Sequence, residues 1–307
     1  MKKRIQNRLA ESRFAFPLMI IYGLAVWLGA GTVAEGAYLQ LAFFMASTLL
    51  MMMLNNTNSL IRIYSRMVSC SFVAMTCAAT FLFSSLESCA TGMCFILFYL
   101  SLLRSYQDKR APGIAFYSFA CLGIASLFFV QILYFVPFLW ILMASNMMAL
   151  THRMFWATVL GLVMPYWFAV GYYVVTNQFD AFIDHFAELA QFEPLLQYEA
   201  LDIHRIATFG LVVLLAVIGI IHYMRNSYQD KIRTRMIFEM FITVDILSFV
   251  FIILQPQHFD NLLPIIIVNT SCLFAHYVAL TRTWLTNVTF IVMCLATLGL
   301  TIFNLMP

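Results

Sequence analysis

The longest stretch of this chain without a charged side chain includes residues 113–150, a run of 38 residues. Such a segment has no charges with which to face water. It is about twice as long as the roughly 20 residues that a helix needs to cross a hydrocarbon core. We therefore predict two membrane-spanning helices here, with a turn near Gln131 and a kink at Pro137 in the second helix.

The rest of the chain has the same character. Of its 307 residues, 63% are hydrophobic and 10% are charged, whereas a soluble domain has about 25% charged residues. We predict an all-α fold, a polytopic transmembrane bundle that forms a single integral membrane domain over residues 1–307. The basic residues form no stripe along one segment, which argues against a nucleic-acid partner.

Polar and charged segments divide the chain into eleven predicted spanning helices. One alternative stays open for the first of them, because Thr32, Val33 and Ala34 could end a cleaved signal peptide covering residues 14–34. The apolar run is longer than the 7–15 residues usual in such signals, which favours an uncleaved helix. The predicted spans are 14–33, 37–54, 67–86, 89–103, two within 113–150, 154–176, 206–224, 236–255, 264–281 and 287–305.

Charge placement gives these helices an orientation. Of the 17 Lys and Arg, all but Arg205 fall in alternate connecting segments, which leaves sixteen on one predicted side together with the basic N-terminus, residues 1–13. Nine of the 14 acidic residues fall on the other side. Since Lys and Arg collect on the cytoplasmic side, we predict a multi-pass protein of the cell inner membrane with a cytoplasmic N-terminus.

The only long segment on the predicted outer side covers residues 177–205 and is acidic. Apolar residues recur at helical spacing over residues 179–190, with Asp180, Asp184 and Glu188 off that face. This pattern predicts an amphipathic helix that lies at the outer membrane interface.

Asp245 is the strongest candidate for an intramembrane site. It lies about 15 Å beyond Arg235 along a helix, near the middle of the bilayer, where a carboxylate is costly unless it faces protein or water. Glu239 precedes it by six residues. On the next helix, Asn269 and His276 are seven residues apart and share a face. We predict an intramembrane polar cluster of these four residues, either functional or purely structural.

Three residues on the predicted outer side are further candidates. Arg205 and its neighbour His204 could bind a lipid phosphate, since a guanidinium pairs bidentately with phosphate. The alternative is a salt bridge from Arg205 to Glu199 or Asp202. Glu35, in a very short turn, is the candidate catalytic residue, a general base toward an acceptor hydroxyl; alternatively, it is only a turn residue.

A five-residue repeat, Ser-Tyr-Gln-Asp-Lys, occurs at residues 105–109 and again at 227–231. Both copies follow a helix that ends on the predicted inner side. A parallel duplication would produce this spacing, but the flanking residues do not align, which favours similar loop chemistry as the explanation.

Several motifs resemble a family of uncharacterised polytopic inner-membrane proteins of Bacteroidota. This resemblance implies an integral membrane fold but no activity or catalytic residues. The motifs are residues 55–66, Tyr106-Gln-Asp-Lys109, Gly123-Ile-Ala-Ser-Leu127, Gly161-Leu-Val-Met-Pro-Tyr166 and the Leu263-Pro264 helix start.

A more distant likeness is to the membrane half of glycosyltransferases that use polyprenyl-phosphate sugars. Those enzymes place an acid in the first outer loop and amphipathic helices on the outer face, a layout that Glu35 and residues 177–203 match. The sequence departs from it in three respects: its first outer loop is very short, that loop has no paired acids, and no large outer domain follows.

Three classes of function remain open. The chain could be a non-catalytic subunit in cell-envelope biogenesis with membrane-protein partners, a membrane enzyme acting on a polyprenyl-linked glycan or lipid, or a secondary transporter with Asp245 in its midplane site. The expected partner is membrane lipid, such as a polyprenyl-phosphate lipid. The sequence contains no motif for a metal or a cofactor, and we expect neither.

Overall fold

The computed structural model describes residues 4–192, 198 and 201–306. Within this part of the chain the secondary structure is helical, without strands. The thirteen α-helices are α1 (Ile5–Ala10), α2 (Ala15–Gly29), α3 (Tyr38–Asn58), α4 (Met67–Ala78), α5 (Leu86–Leu102), α6 (Pro112–Phe128), α7 (Val136–Ser145), α8 (His152–Val175), α9 (Phe179–Ala187), α10 (Ile203–Asn226), α11 (Ile232–Leu254), α12 (Phe259–Leu280) and α13 (Trp284–Leu305).

Seven of the described helices are long and apolar enough to cross a membrane: α3, α5, α8, α10, α11, α12 and α13. Four shorter apolar helices of 10–17 residues lie where the other four spans are predicted, so the count of eleven membrane spans stays a prediction. Two of them, α4 and α7, are extended by the 3₁₀ segments Thr80–Ser84 and Val130–Phe135, respectively. The all-helical, membrane-type architecture predicted from composition is therefore present.

The connecting segments collect at two ends of the bundle. At the end we call the basic end, contacts join segments that are distant in sequence: Arg4 with the Arg282 carbonyl, Arg62 with Gln229, Arg233 with Asn58 and the Leu103 carbonyl, and Asn146 with Glu239. At the opposite end, the acidic end, Gln40 bonds to the Ser84 carbonyl, Thr80 to the Asn304 carbonyl, Ser88 to Asn261 and Arg205 to Asp260.

Helix α12 is the centre of the bundle. Of its 18 most apolar consecutive residues, 94% are buried, and it packs against α4, α5, α10 and α11. Polar side chains on α12 are consequently hydrogen-bonded to neighbouring helices and to the α10–α11 connection: Asn261 to Ser88, Asn269 to Tyr99, Thr270 to Asp245 and His276 to Asp230.

Two proline predictions are wrong. Helix α12 begins at Phe259, so Pro264 lies inside it rather than at its start; Gly92 of α5 leaves room for the ring, because a Cβ at residue 92 would lie 3.0 Å from Pro264 Cβ. Pro137 does not kink a helix. It occupies the first turn of α7, where the missing N–H of a proline is no loss.

The N-terminal segment differs in detail from the prediction, whereas the predicted amphipathic helix after α8 is present. Residues 5–10 of the basic N-terminal segment form α1, where Gln6 and Asn7 bond to the end of α12 at Val278 and Thr281. The amphipathic helix predicted over residues 179–190 is present as α9 and the 3₁₀ turn Glu188–Ala190. It packs on Tyr166 of α8, bonds through His185 to the Ser126 carbonyl of α6, and accepts from Tyr134 of the α6–α7 connection at the Leu189 carbonyl.

Candidate functional site

A polar cavity of about 440 Å³ lies at the acidic end. Glu35 and Arg205, which are 170 residues apart in sequence, both line it. The ends of α2, α4, α10 and α13 surround it, and its other lining residues are Ala30, Thr32, Thr80, Phe81, Ser84, Asp202, His204, Asn304, Leu305 and Met306. The structure therefore brings the three candidates of the outer face, Glu35, His204 and Arg205, into one cavity.

Glu35 is held in a tight turn between α2 and α3. Gly31 and Gly36 flank it with φ angles of 73° and 90°, a left-handed region that glycine adopts without a steric penalty. The Glu35 backbone N–H donates to the Gly31 carbonyl. This turn leaves the carboxylate exposed at the rim of the cavity.

Arg205 lies in the first turn of α10 and pairs with Asp260 of α12. Its Nε and Nη2 each donate to one Asp260 oxygen at 2.9 Å, and its guanidinium stands 5.3 Å from the centre of the Phe81 ring. The predicted alternative, a salt bridge from Arg205 to Asp202 or Glu199, is wrong for Asp202. Asp202 caps α10 by accepting from the Ile203 N–H, and Glu199 lies outside the described residues.

His204 links two helices and also lines the cavity. Its Nδ1 donates to Asn304 Oδ1 at 2.9 Å, and its ring stacks on Phe303 at 4.5 Å. Asn304 in turn donates to the Ala78 carbonyl and to Thr208. His204 thus ties α10 to α13. Because Nδ1–H is used in this bond, the neutral ring has no second N–H to offer an anion.

The charges around this cavity are unequal. Glu35, Asp202 and Asp260 bring three carboxylates to one guanidinium, that of Arg205. Because Asp260 engages Nε and Nη2, the Nη1 group of Arg205 is left for another acceptor. A phosphate would therefore be bound at one point of an otherwise acidic cavity. Within the described ranges, no three His, Cys, Asp or Glu side chains are grouped closely enough to hold a metal ion.

Asp245 is completely buried, at 0% exposure. Thr270 donates to its Oδ2 at 3.0 Å, and Asn269 lies beside the same carboxyl group. Tyr99 donates to Asn269 Oδ1 at 2.9 Å. Asp245 Oδ1 and Asn269 Nδ2, an acceptor and a donor, each lack a hydrogen bond of good geometry. The midplane cluster is thus Tyr99, Asp245, Asn269 and Thr270.

The other two members predicted for this cluster bond elsewhere. Glu239 accepts from Asn146 Nδ2 at 2.9 Å, close to the basic end. His276 donates from Nε2 to Asp230 Oδ2 at 3.0 Å. Sharing a helix face with Asn269 did not bring His276 to Asp245, because the neighbour that meets α12 at that level is the segment connecting α10 to α11.

Asp230 is the polar residue that the sequence analysis missed as a candidate. Its side chain is 3% exposed and lies 4.0 Å from Arg62 Nη1 as well as 3.0 Å from His276. It lines a second polar cavity of about 440 Å³, at the basic end, with Arg62, Gln229 and Lys231. In the first copy of the repeat, the equivalent Asp108 is exposed and accepts from the Arg110 N–H, so the two copies have different roles.

Comparisons of the chain with protein-family models, with curated proteins and with solved structures give no match. Inferences about function therefore rest on the geometry of these sites.

Proposed function

We propose that this chain is a multi-pass protein of a cell inner membrane, with its basic end and N-terminus in the cytoplasm. The support is the separation of charge between the two ends of the bundle. Arg62, Arg233 and Arg282 lie at one end, whereas Glu35 and Asp260 lie at the other, about one bilayer apart along helices of 21 to 24 residues.

Reporter fusions test this orientation. We expect an alkaline phosphatase reporter to be inactive when it is fused after Lys109 or Lys231 and active when it is fused after Pro307. With eleven spans, Pro307 lies on the opposite side of the membrane from the N-terminus and the two lysines. A green fluorescent protein reporter should give the reverse pattern. A cytoplasmic result at Pro307 would contradict the count, and the error would then lie in residues 113–150.

We further propose that the acidic-end cavity binds the phosphate of a lipid or of a lipid-linked glycan, and that the chain acts on it as a cell-envelope enzyme. One observation carries this proposal: Glu35 and Arg205 line the same cavity. The layout resemblance to glycosyltransferases that use polyprenyl-phosphate sugars agrees with it.

The roles of the side chains follow from their bonds. Asp260 fixes the Arg205 guanidinium through Nε and Nη2, so that Nη1 is directed at a fixed position for a phosphate oxygen. Glu35 is unbonded to a cation in the described part of the chain, and a carboxylate is suited to accept the proton of an attacking hydroxyl. In this proposal, Arg205 binds and Glu35 activates.

A photoreactive polyprenyl phosphate, added to the protein in nanodiscs, tests the binding step. We expect Arg205→Gln to lower labelling by tenfold or more, since a hydrogen bond to a charged group contributes about 1.5–3 kcal/mol. Glu35→Gln should retain labelling or increase it, because it removes a negative charge from the cavity. Glu87→Gln, an exposed acid at the start of α5, is the matched control and should behave as the unmodified protein.

Two outcomes would overturn the binding proposal. One is undiminished labelling of Arg205→Gln. The other is equal labelling by the photoreactive polyprenyl alcohol, which has the same hydrocarbon tail but lacks the phosphate. In either case the non-catalytic assembly interpretation becomes the better one.

Transport is the second candidate, and the midplane cluster favours it. Asp245 Oδ1 has no hydrogen bond of good geometry, which is where a carried proton or cation would bind. Asp245 lines neither the acidic-end cavity nor the basic-end cavity, so transport would require an opening that this conformation lacks. Proton or sodium flux into proteoliposomes distinguishes this candidate from the enzyme.

A further inference from the structure

An apolar groove of about 290 Å³ runs along one side of the bundle between α2, α4 and α13. On α2 it extends from Ala15 to Tyr22, and on α13 from Phe290 to Leu298. At 1.5 Å per residue these stretches are about 10–12 Å long. Half of a hydrocarbon core is about 15 Å, so the groove covers most of the depth of one leaflet. A hydrogen bond between Tyr22 and Thr301, 3.0 Å long, joins α2 to α13 at the end of the groove that is farther from the basic end of the bundle.

The other end of the groove meets the basic end of the bundle. Leu9, Ala15 and Met67 line it there, and their near neighbours in sequence are Arg8, Arg13 and Arg66. Arg4 and Arg282, joined by a hydrogen bond, belong to the same corner. Among these described neighbours the acid is Glu11, so arginines outnumber carboxylates five to one, which favours a positive charge at this end of the groove.

Arg66 provides the most specific contact. It precedes α4, and its carbonyl accepts from the Cys70 N–H one turn later, which places Arg66 on the same helix face as Cys70. Cys70 lines the groove. The Nε of Arg66 donates to Tyr64, but its Nη1 is buried without a hydrogen-bond partner. A shielded guanidinium nitrogen without an acceptor is costly, and here it lies at the mouth of an apolar groove.

We propose that this groove binds one acyl chain of an anionic phospholipid from the leaflet at the basic end, which is the cytoplasmic leaflet in the orientation proposed above. The phosphate of the headgroup accepts hydrogen bonds from Arg66 and the neighbouring arginines. The apolar lining fits the chain, its length covers most of one leaflet, and the phosphate supplies the acceptor that Arg66 Nη1 lacks. This site lies at the opposite end of the bundle from the acidic-end cavity and does not depend on what that cavity binds.

Native mass spectrometry of the full chain tests the site. After release from nanodiscs with equal amounts of phosphatidylglycerol and phosphatidylcholine, we expect the protein to retain phosphatidylglycerol preferentially. Arg66→Gln should lower that retention by about fivefold, the factor that one basic residue contributes beside anionic lipid. Ala74→Phe, which fills the groove, should lower it too, while leaving Arg66 in place.

The matched control is Arg153→Gln. Arg153 is an arginine of the basic end too, but it is exposed and lies on α8, away from the groove, and its loss should leave retention unchanged. Should Ala74→Phe fail to fold, Arg66→Gln alone decides the result. Equal retention of the two lipids, or retention by Arg66→Gln at the level of Arg153→Gln, would overturn the proposal.

Discussion

Replacing Gly161 with alanine is expected to separate α6 from α8 and to destabilise the protein strongly. A Cβ at residue 161 would lie 2.2 Å from the Phe116 carbonyl oxygen and 3.1 Å from the Ala120 nitrogen. Both are backbone atoms of α6, so no side-chain rotation can relieve the clash. Overpacking commonly costs about 1–3 kcal/mol, and contact with rigid backbone places this variant at or above the upper end of that range.

Gly171→Ala is the matched control, because it makes the same change in the same helix. A Cβ at residue 171 meets nothing within 4 Å, and alanine is favoured over glycine in a helix by about 1 kcal/mol. Thermal unfolding in detergent, followed by fluorescence-detected size exclusion, should show Gly161→Ala well below and Gly171→Ala at or above the unmodified protein. Similar midpoints for the two variants would contradict the close packing of α6 on α8.

The second large effect is expected at Asp245. Asp245→Leu removes the acceptor for Thr270 and leaves that hydroxyl and the Asn269 amide in an apolar interior, at a cost of about 1–3 kcal/mol. Asp245→Asn keeps an acceptor oxygen of the same shape and should unfold close to the unmodified protein. If the charge of the carboxylate does the work instead, the two variants will be equally impaired in whatever activity the chain has.

Thr270→Val supplies the control for this result. It removes the donor to Asp245 Oδ2 without changing the size of the side chain. If the hydrogen bond is what stabilises the cluster, the double variant Asp245→Leu with Thr270→Val should lose less stability than the sum of the two single changes. Strict additivity in thermal unfolding would show that the two side chains do not cooperate.

The sequence predicted the helices better than it predicted their neighbours. Hydrophobic length located most of the apolar helices to within about four residues at each end, since each must hide its backbone hydrogen bonds from lipid. The exceptions are α4, which ends at Ala78 and not near residue 86, and α12, which begins at Phe259 and not at Pro264. The 3₁₀ segments after α4 and before α7 were missed, because apolarity does not distinguish a 3₁₀ turn from an α turn.

The partners that side chains find on other helices of the bundle were much harder to predict from the sequence. Periodicity placed Asn269 and His276 on one face of α12, yet the first neighbours Asp245 and the second bonds to Asp230. The partner of Arg205 is Asp260, 55 residues away, not the nearby Asp202. Periodicity gives the direction in which a side chain points along its own helix, but not which other helix lies there.

The short helix α2 beside the acidic-end cavity has a consequence for the membrane itself. At 1.5 Å per residue, its 15 residues are about 22 Å long, shorter than a core of about 30 Å. Ala30, which follows its last residue, lines the cavity. A bilayer next to a short helix thins locally, so lipid headgroups beside α2 would sink toward the level of the cavity. A lipid phosphate that enters the cavity laterally on this flank would then cross only a few ångströms of thinned bilayer, rather than a full leaflet of hydrocarbon.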